Sequence, residues 1–308
     1  MQLTLKKEIE FKGIGLHSGK AVTMRVAPAP AGSGMKITRT DIDSADNTIQ
    51  ALWSYVVPSE LCTLLSWTTS EGDVVTVSTV EHILSALRGA NIDNAHIYVD
   101  AEEIPIMDGS AREFLQEIEK VGVVTQHAPS TYIRILKEVR FEVDDKYAVY
   151  TPSNVPSFTY EIDFPQKAIG YQRFDVSLLN GNYAHEVANA RTFCPLEMVE
   201  FLKTKGLIQG GSLDNAIVVD QDKILNPEGL RFETEFARHK TLDAIGDVYL
   251  AGAPILGAFH GYKAGHAMHT ALIKEVMSDP NNYEIVNGDL ATMLDKQQAD
   301  KKQQAAHA

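Results

Sequence analysis

The segment ARHKTLDAIGD holds His239 and Asp243 four residues apart in a stretch with a helical pattern. Both side chains then leave one face of the helix. An imidazole and a carboxylate at that spacing suit joint binding of one divalent metal ion. Alone, such a pair is more often an ordinary polar pair on a solvated face, so a third ligand is needed. His82, in the helical pattern TVEHILSALRGA of the first half, is the natural candidate. Two facing helices would supply a His from one and a His plus an Asp from the other. Three protein ligands leave a fourth position open for water, the arrangement of a catalytic site. Glu81 directly precedes His82, and helix neighbours point about 100° apart, so both do not easily ligate one ion. A carboxylate beside a metal is where a general base for water belongs, although a first-turn Glu is also favoured by the helix dipole. A rival pair stands in HGYKAGHAMHT. There His266 and His269 lie one helical turn apart with His260 nearby, and two neutral imidazoles at that spacing also suit zinc.

The elements that must position these residues follow from hydrophobic periodicity. Thr4–Phe11 and Ala21–Ala27 alternate as strands joined by GIGLHSGK, a hairpin or tight loop. Val74–Ser78 feeds directly into the His82 helix, with Ser78 or Thr79 expected as N-cap and Gly89 at its end. A strand Ala95–Val99, the loop EIPIMDGS and a helix Ala111–Val121 come next. HAPST, residues 127–131, is the expected linker. Strand patterns over about 132–164 open the second half, followed by the helix EFARHKTLDAIGDVYLAG, the strand run ILGAFHGY and the helix HAMHTALIKEVM. The order helix, loop, strand, loop, helix thus occurs twice, which suggests duplication despite low identity between the halves. A stretch at about 191–220, with apolar Leu196, Val199, Leu202, Leu207 and Ile208, looks like an insert. The polar tail from 286 to 308 is expected to be disordered.

Composition narrows the function classes. With 28 Lys+Arg against 41 Asp+Glu the net charge is −13, which disfavours nucleic acid and anionic membrane surfaces as partners. At 44% hydrophobic and 22% charged residues the chain has a globular balance, and 308 residues suggest about two domains. No apolar run approaches the ~20 residues of a membrane span, and MQLTLKKEIEF lacks a signal-peptide core. Cys62 and Cys194 are the only cysteines, too few for a disulfide framework or a thiolate zinc cage. A cytoplasmic protein is expected. GIGLHSGKA fails as a phosphate cradle, because Ser18 replaces the third glycine of a dinucleotide fingerprint and Ala21 replaces the P-loop Ser/Thr.

Taken in order, GLHSGK, STVEHILSAL, IDN, EIPIMDGSA, RTF, GLIQGGSLDNAIVVD, RHKTLDAIGD and the KAGH element resemble the UDP-3-O-acyl-N-acetylglucosamine deacetylases. These are zinc amidases at the committed step of lipid A synthesis in Gram-negative bacteria. The resemblance covers nearly the whole chain except the tail, with no departure at the catalytic positions. It implies an α+β fold of two similar domains, 1–128 and 129–285. Each has a small mixed sheet with two helices, the helices are sandwiched between the sheets, and the active site lies at the junction. It further implies zinc (ferrous iron being the alternative) on His82, His239 and Asp243, which demotes the His266/His269 pair. Glu81 would be the general base, His266 the general acid, Asp247 the residue that orients and charges that histidine, and Thr192 the oxyanion donor. Lys240 and Lys263 would meet the nucleotide diphosphate, Phe164 the uracil, and His17 the sugar and acyl region. The 191–220 insert, with Leu196 and Val199, would form an acyl-chain passage. The implied partner is an acylated UDP-sugar bound by a monomer. Two other readings stand beside this one: a non-catalytic UDP-sugar or metal-binding module, and a zinc amidohydrolase for another N-acetylated sugar nucleotide.

Overall fold

The computed structural model describes residues 1–290; most of the tail expected to be disordered, 291–308, lies outside the described residues. Its start does not: Tyr283–Gly288 is a strand, antiparallel to Ser130–Ile135. Alternation in YEIVNG is weak, and backbone pairing to an existing strand, which needs no particular side chains, accounts for what the tail's polarity concealed.

Two five-stranded sheets share one topology. In the first, Ile9–Ile14, Ala21–Pro28, Ala95–Val99, Met35–Arg39 and Thr48–Gln50 lie side by side in that order. In the second, the order is Val139–Val143, Lys146–Thr151, Ala258–Tyr262, Ser157–Asp163 and Tyr171–Ser177. Each sheet has a single parallel pairing, between its central strand and the fourth in the order. Each central strand also lies between two helices in sequence: α1 (Glu81–Gly89) and α2 (Arg112–Val121) in the first half, α4 (Glu235–Tyr249) and α5 (His266–Ser278) in the second. The remaining α-helix among the described residues, α3 (Leu196–Thr204), belongs to the insert, where the strands Phe193–Pro195 and Ile217–Asp220 pair in parallel. The expected mixed α+β architecture is therefore present.

Helix α4 packs on Ser157–Asp163 and Tyr171–Ser177, α5 on Val139–Val143 and Lys146–Thr151, and α2 on Ile9–Ile14. One apolar core runs through both halves. Helices α1 and α4 pack on each other, and nearly every residue of both is buried, polar ones included. A helix buried all round belongs inside the molecule. The contact between them is set by a missing side chain: a Cβ on Gly246 of α4 would fall 1.9 Å from the Glu81 carbonyl oxygen and 2.7 Å from its carbon. At the other end of α1, a Cβ on Gly89 would fall within the Tyr183 ring, 2.0 Å from Cδ1.

The cap expected for α1 is corrected. Val80 occupies the N-cap position with no side-chain cap hydrogen bond, and Thr79 takes φ 59°. The Thr79 hydroxyl is drawn off to Glu103 Oε1 at 3.2 Å. Such a conformation is costly for a β-branched residue and makes the turn from strand into helix abrupt. The expected strand Thr4–Phe11 is likewise broken into Leu3–Leu5 and Ile9–Ile14 around charged Lys6–Glu8.

Gly246→Ala should gain about 1 kcal/mol in helix propensity. The clash with the α1 backbone is nevertheless expected to lower stability by about 1–3 kcal/mol. A thermal melt checks this, and an unchanged midpoint would show that α1 is free to move away.

Candidate active site

Along α4, His239, Asp243 and Asp247 recur every fourth residue and share one face, while Glu81 and His82 open α1. The packing at Gly246 brings these two sets together. His82 Nε2 lies 3.5 Å and His239 Nε2 3.3 Å from the same oxygen, Asp243 Oδ1. The two rings stand nearly perpendicular, with centroids 5.2 Å apart. Asp243 Oδ1 is buried without a hydrogen-bond partner. A bare carboxylate oxygen is costly to bury, and here it faces two imidazole nitrogens, with all three donor atoms within 4.8 Å of one another. This donor set fits a divalent metal ion.

The ligand tautomer of His239 is set by its surroundings. Its Nδ1 lies 3.1 Å from the Ala190 carbonyl, which only accepts, so Nδ1 carries the hydrogen and Nε2 is left bare. Burial pushes His239 down to about 3 against the pull of Asp243, keeping the ring neutral. Burial also penalises a charged Asp243, but His239 and Lys240 beside it hold its carboxyl well below the usual range. Lys240 Nζ donates to the other oxygen, Oδ2, at 2.6 Å.

Glu81 and His266 face each other beside this group. His266, the first residue of α5, places Nε2 3.8 Å from Glu81 Oε1 and 4.0 Å from Asp243 Oδ2. Its Nδ1 is 2.8 Å from Asp247 Oδ2. Burial raises the Glu81 carboxyl to about 7, with the charge on His266 pulling the other way. Burial pulls His266 down, but the Asp247 and Glu81 carboxylates outweigh it and lift the imidazole to about 9. Burial would raise Asp247; the hydrogen-bonded His266 instead draws it to about 2. The arrangement is a charged imidazole opposite a carboxyl that titrates near neutrality, as acid–base chemistry requires.

The rival pair His266/His269 comes together with Asp247 and not with His260, whose Nε2 lies 2.7 Å from Glu161 Oε1. Both of its imidazoles direct Nδ1 at one oxygen, Asp247 Oδ2, each at 2.8 Å. Thr63 Oγ1 donates to the other, Oδ1, at 2.5 Å. Both oxygens of this carboxylate already accept hydrogen bonds, whereas Asp243 has an oxygen with none.

Other expected residues fall around the centre. Thr192 lies two residues beyond the carbonyl that orients His239, its amide donating to Gly109 O at 2.8 Å. His17 is buried with neither ring nitrogen hydrogen-bonded; burial lowers its pKa against the opposing pull of the Glu103 carboxylate, with charge on His266 adding to the fall. Phe164 packs edge-on against Phe193, which in turn meets the His239 ring. Lys263 sits farther out, with Nζ 3.1 Å from Asp145 and 3.2 Å from Asp163. The insert is divided: Leu202 and Ile208 are buried, Val199 is half-buried, and Leu196, Met198 and Phe201 are exposed.

Sequence reasoning missed Thr63, His269 as a partner of Asp247, and Glu103. The Glu103 carboxylate accepts the backbone amides of His17 and Ser18, both at 2.8 Å, and so ties the GLHSG turn to Thr79. Glu103 stood in a quoted motif, EIPIMDGSA, but nothing local marks a buried Glu as an anchor for a turn 85 residues away.

A family model described as UDP-3-O-acyl N-acetylglycosamine deacetylase (LpxC) matches residues 2–278. Among curated proteins, the UDP-3-O-acyl-N-acetylglucosamine deacetylase of Myxococcus xanthus is 47% identical over 285 residues, covering 92% of this chain and 89% of the relative. The protein of that name from Vibrio parahaemolyticus is 44% identical, with 92% of each chain covered. That from Campylobacter fetus is 41% identical, with 97% of each covered.

The two metal-competent groups make different demands. After dialysis against zinc, His82→Ala and Asp243→Asn are expected to lose most bound metal by elemental analysis, because three ligands leave no redundancy. His269→Ala should retain it. The reverse pattern would move the metal to the Asp247 group.

Proposed function

Because the chain belongs to the UDP-3-O-acyl-N-acetylglucosamine deacetylase family, we propose that it hydrolyses the acetamide of UDP-3-O-(3-hydroxyacyl)-N-acetylglucosamine. The products are acetate and the free amine, the committed step of lipid A biosynthesis. The observation that carries the reading is the approach of Glu81 and His266 from different helices beside the His82–His239–Asp243 group, 3.8 Å apart. A binding protein has no need of such a pair.

When held by His82, His239 and Asp243, zinc, or ferrous iron in its place, supplies Lewis acidity toward water and the acyl oxygen. Glu81 accepts the proton of the attacking water. The Thr192 hydroxyl donates to the oxyanion of the tetrahedral intermediate, a contribution of about 3 kcal/mol for a single pre-oriented donor. An amide nitrogen leaves only once protonated, and the His266 imidazolium delivers that proton from Nε2. Asp247 fixes the ring through Nδ1 and stabilises its charge.

Substrate recognition is distributed around this centre. Lys240 and Lys263 meet the diphosphate and Phe164 the uracil. His17, whose buried ring nitrogens have no protein partner, gains hydrogen bonds from the sugar and acyl region. Leu196 and Val199 on α3 line the acyl passage, and the exposure of Leu196, Met198 and Phe201 supports a role beyond core packing. We read residues 1–128 and 129–285 as two domains sharing one site. The reading is of a monomer working in the cytoplasm; no described helix is long and apolar enough to cross a membrane.

A strong chelator should abolish acetate release, and about one equivalent of zinc should restore it. Glu81→Ala and His266→Ala should each lower kcat by about two to four decades with bound metal retained. The base must be deprotonated and the acid protonated. Accordingly, kcat/KM should fall below about 7 as Glu81 takes up its proton and above about 9 as His266 loses its own. Full activity in metal-free protein, or loss of metal in His266→Ala, would contradict the assignment.

Replacing Leu196 and Val199 together with Asp tests the acyl passage. Each methylene removed from water contributes up to ~0.8 kcal/mol, and such remote binding also positions the amide. Turnover of the acylated substrate should collapse in kcat and KM, while the slow turnover of UDP-N-acetylglucosamine stays nearly constant. Equal damage to both substrates at an unchanged melting temperature would assign the insert to general site architecture.

A further inference from the structure

Asp247 receives more hydrogen bonds than its role toward His266 requires. Its Oδ2 lies 2.8 Å from Nδ1 of His266 and 2.8 Å from Nδ1 of His269, and its Oδ1 accepts from Thr63 at 2.5 Å. An ionised carboxylate only accepts, so the Nδ1 of His269 carries a hydrogen. Its Nε2, left bare, is 2.9 Å from the Tyr160 hydroxyl, whose single hydrogen is shared between that nitrogen and the Ala264 carbonyl 2.7 Å away. Ala264 lies two residues before His266, and His269 one turn after it. Tyr160 on the strand Ser157–Asp163 thus stands against both the loop and the far side of His269, and His269 holds Asp247 on α4. His269, Tyr160 and Asp247 are all buried.

We propose that His269 is a positioning residue that acts through Asp247, its Nδ1–H locking the carboxylate in the orientation that presents Oδ2 to the general acid His266. This rests on the reading of His266 as that acid. The physical reason is torsional. The terminal χ2 rotation of Asp is broad and roughly two-fold, so a carboxylate with one donor on each oxygen, Thr63 and His266, still has room to rock about χ2 and carry the imidazole with it. A second donor on Oδ2, opposed by Thr63 on Oδ1, removes that freedom. Rigid support of this kind matters because displacement of a reacting group by 1 Å can cost about 10²-fold in rate. The alternative is that His269 only fills space, since its ring also packs edge-on against Phe259 and Tyr160.

Three substitutions separate donor from volume. His269→Asn sets its amide at the Nδ1 position, His269→Gln reaches toward the Nε2 position, and His269→Phe keeps ring volume with no donor. Acetate release from the acylated UDP-sugar, zinc content and melting temperature are measured on each, with His266→Ala as the reference. The expected result is that Asn stays within about threefold of the unsubstituted kcat. Gln and Phe should fall by about tenfold or more, given that sensitivity to misplacement, at unchanged KM and zinc content. Asn and Gln form a matched polar pair, so the comparison holds even where Phe fails to fold. Equal activity of Asn and Gln, or Phe retaining activity that Asn loses, would overturn the proposal while a dead His266→Ala keeps the acid assignment. An active His266→Ala would overturn both.

Discussion

Where α4 carries Gly246, the backbone of α1 comes so close that a Cβ would sit 1.9 Å from the Glu81 carbonyl oxygen. Glycine in a helix interior is unfavourable by about 1 kcal/mol relative to alanine, and here it permits a contact that no other residue allows. Its neighbours along α4 are Asp243, three residues before, and Asp247, one residue after. Glu81 and His82 are thereby delivered to the face that already carries His239 and Asp243. Moving α1 outward by the width of a methyl group would lengthen both the 3.5 Å approach of His82 to Asp243 and the 3.8 Å approach of Glu81 to His266. The metal-competent group and the Glu81–His266 pair therefore depend on one helix crossing.

The charges collected at that crossing are sorted by their partners. Three buried carboxylates, Glu81, Asp243 and Asp247, lie among four imidazoles and the Lys240 ammonium. Buried ions are tolerated when paired and hydrogen-bonded. Asp247 is saturated by Thr63, His266 and His269, which suits a group that orients others. Asp243 is satisfied on Oδ2 by Lys240 and bare on Oδ1, which suits a ligand. Glu81 takes one backbone hydrogen bond, from Thr63, on Oε2 and turns Oε1 toward His266, which leaves it free to exchange a proton. Carboxylates of similar chemistry thus receive different roles from the number and kind of donors around them.

The repeated sheet topology gives this arrangement a structural origin. Both halves place one helix before and one after the central strand of the same five-stranded pattern, yet they contribute unequally. The first half supplies Glu81 and His82. The second supplies His239, Asp243, Asp247 and His266 along with the insert bearing α3. Neither half holds all of these groups, which meet where α1 packs on α4. Uncommon backbone conformations flank it: Thr79 at φ 59° before α1, Lys263 at φ 49° before α5 and Ile208 at φ 49° in the insert. Backbone conformations of this kind persist where the surrounding structure over-determines them.

Sequence alone carried much of this. Helical spacing put His239 and Asp243 on one face, because side-chain direction within a helix is a local property of the backbone. Hydrophobic periodicity located both site helices, the strands Val74–Ser78 and Ala95–Val99, and the repeated order of elements. Resemblance of motifs assigned the roles. Tertiary structure alone decided which of the two histidine groups has an open carboxylate oxygen, since that turns on Thr63 meeting Asp247 across 184 residues. It also decided that Thr79 would forgo a cap to bind Glu103, that Tyr283–Gly288 would join a sheet, and that Leu202 and Ile208 would turn inward while Leu196 stayed exposed. The physical reason is common to all of these. Periodicity states which side chains share a face, but hydrogen-bond saturation and burial depend on what a distant segment brings to that face, and no local pattern encodes the distance between them.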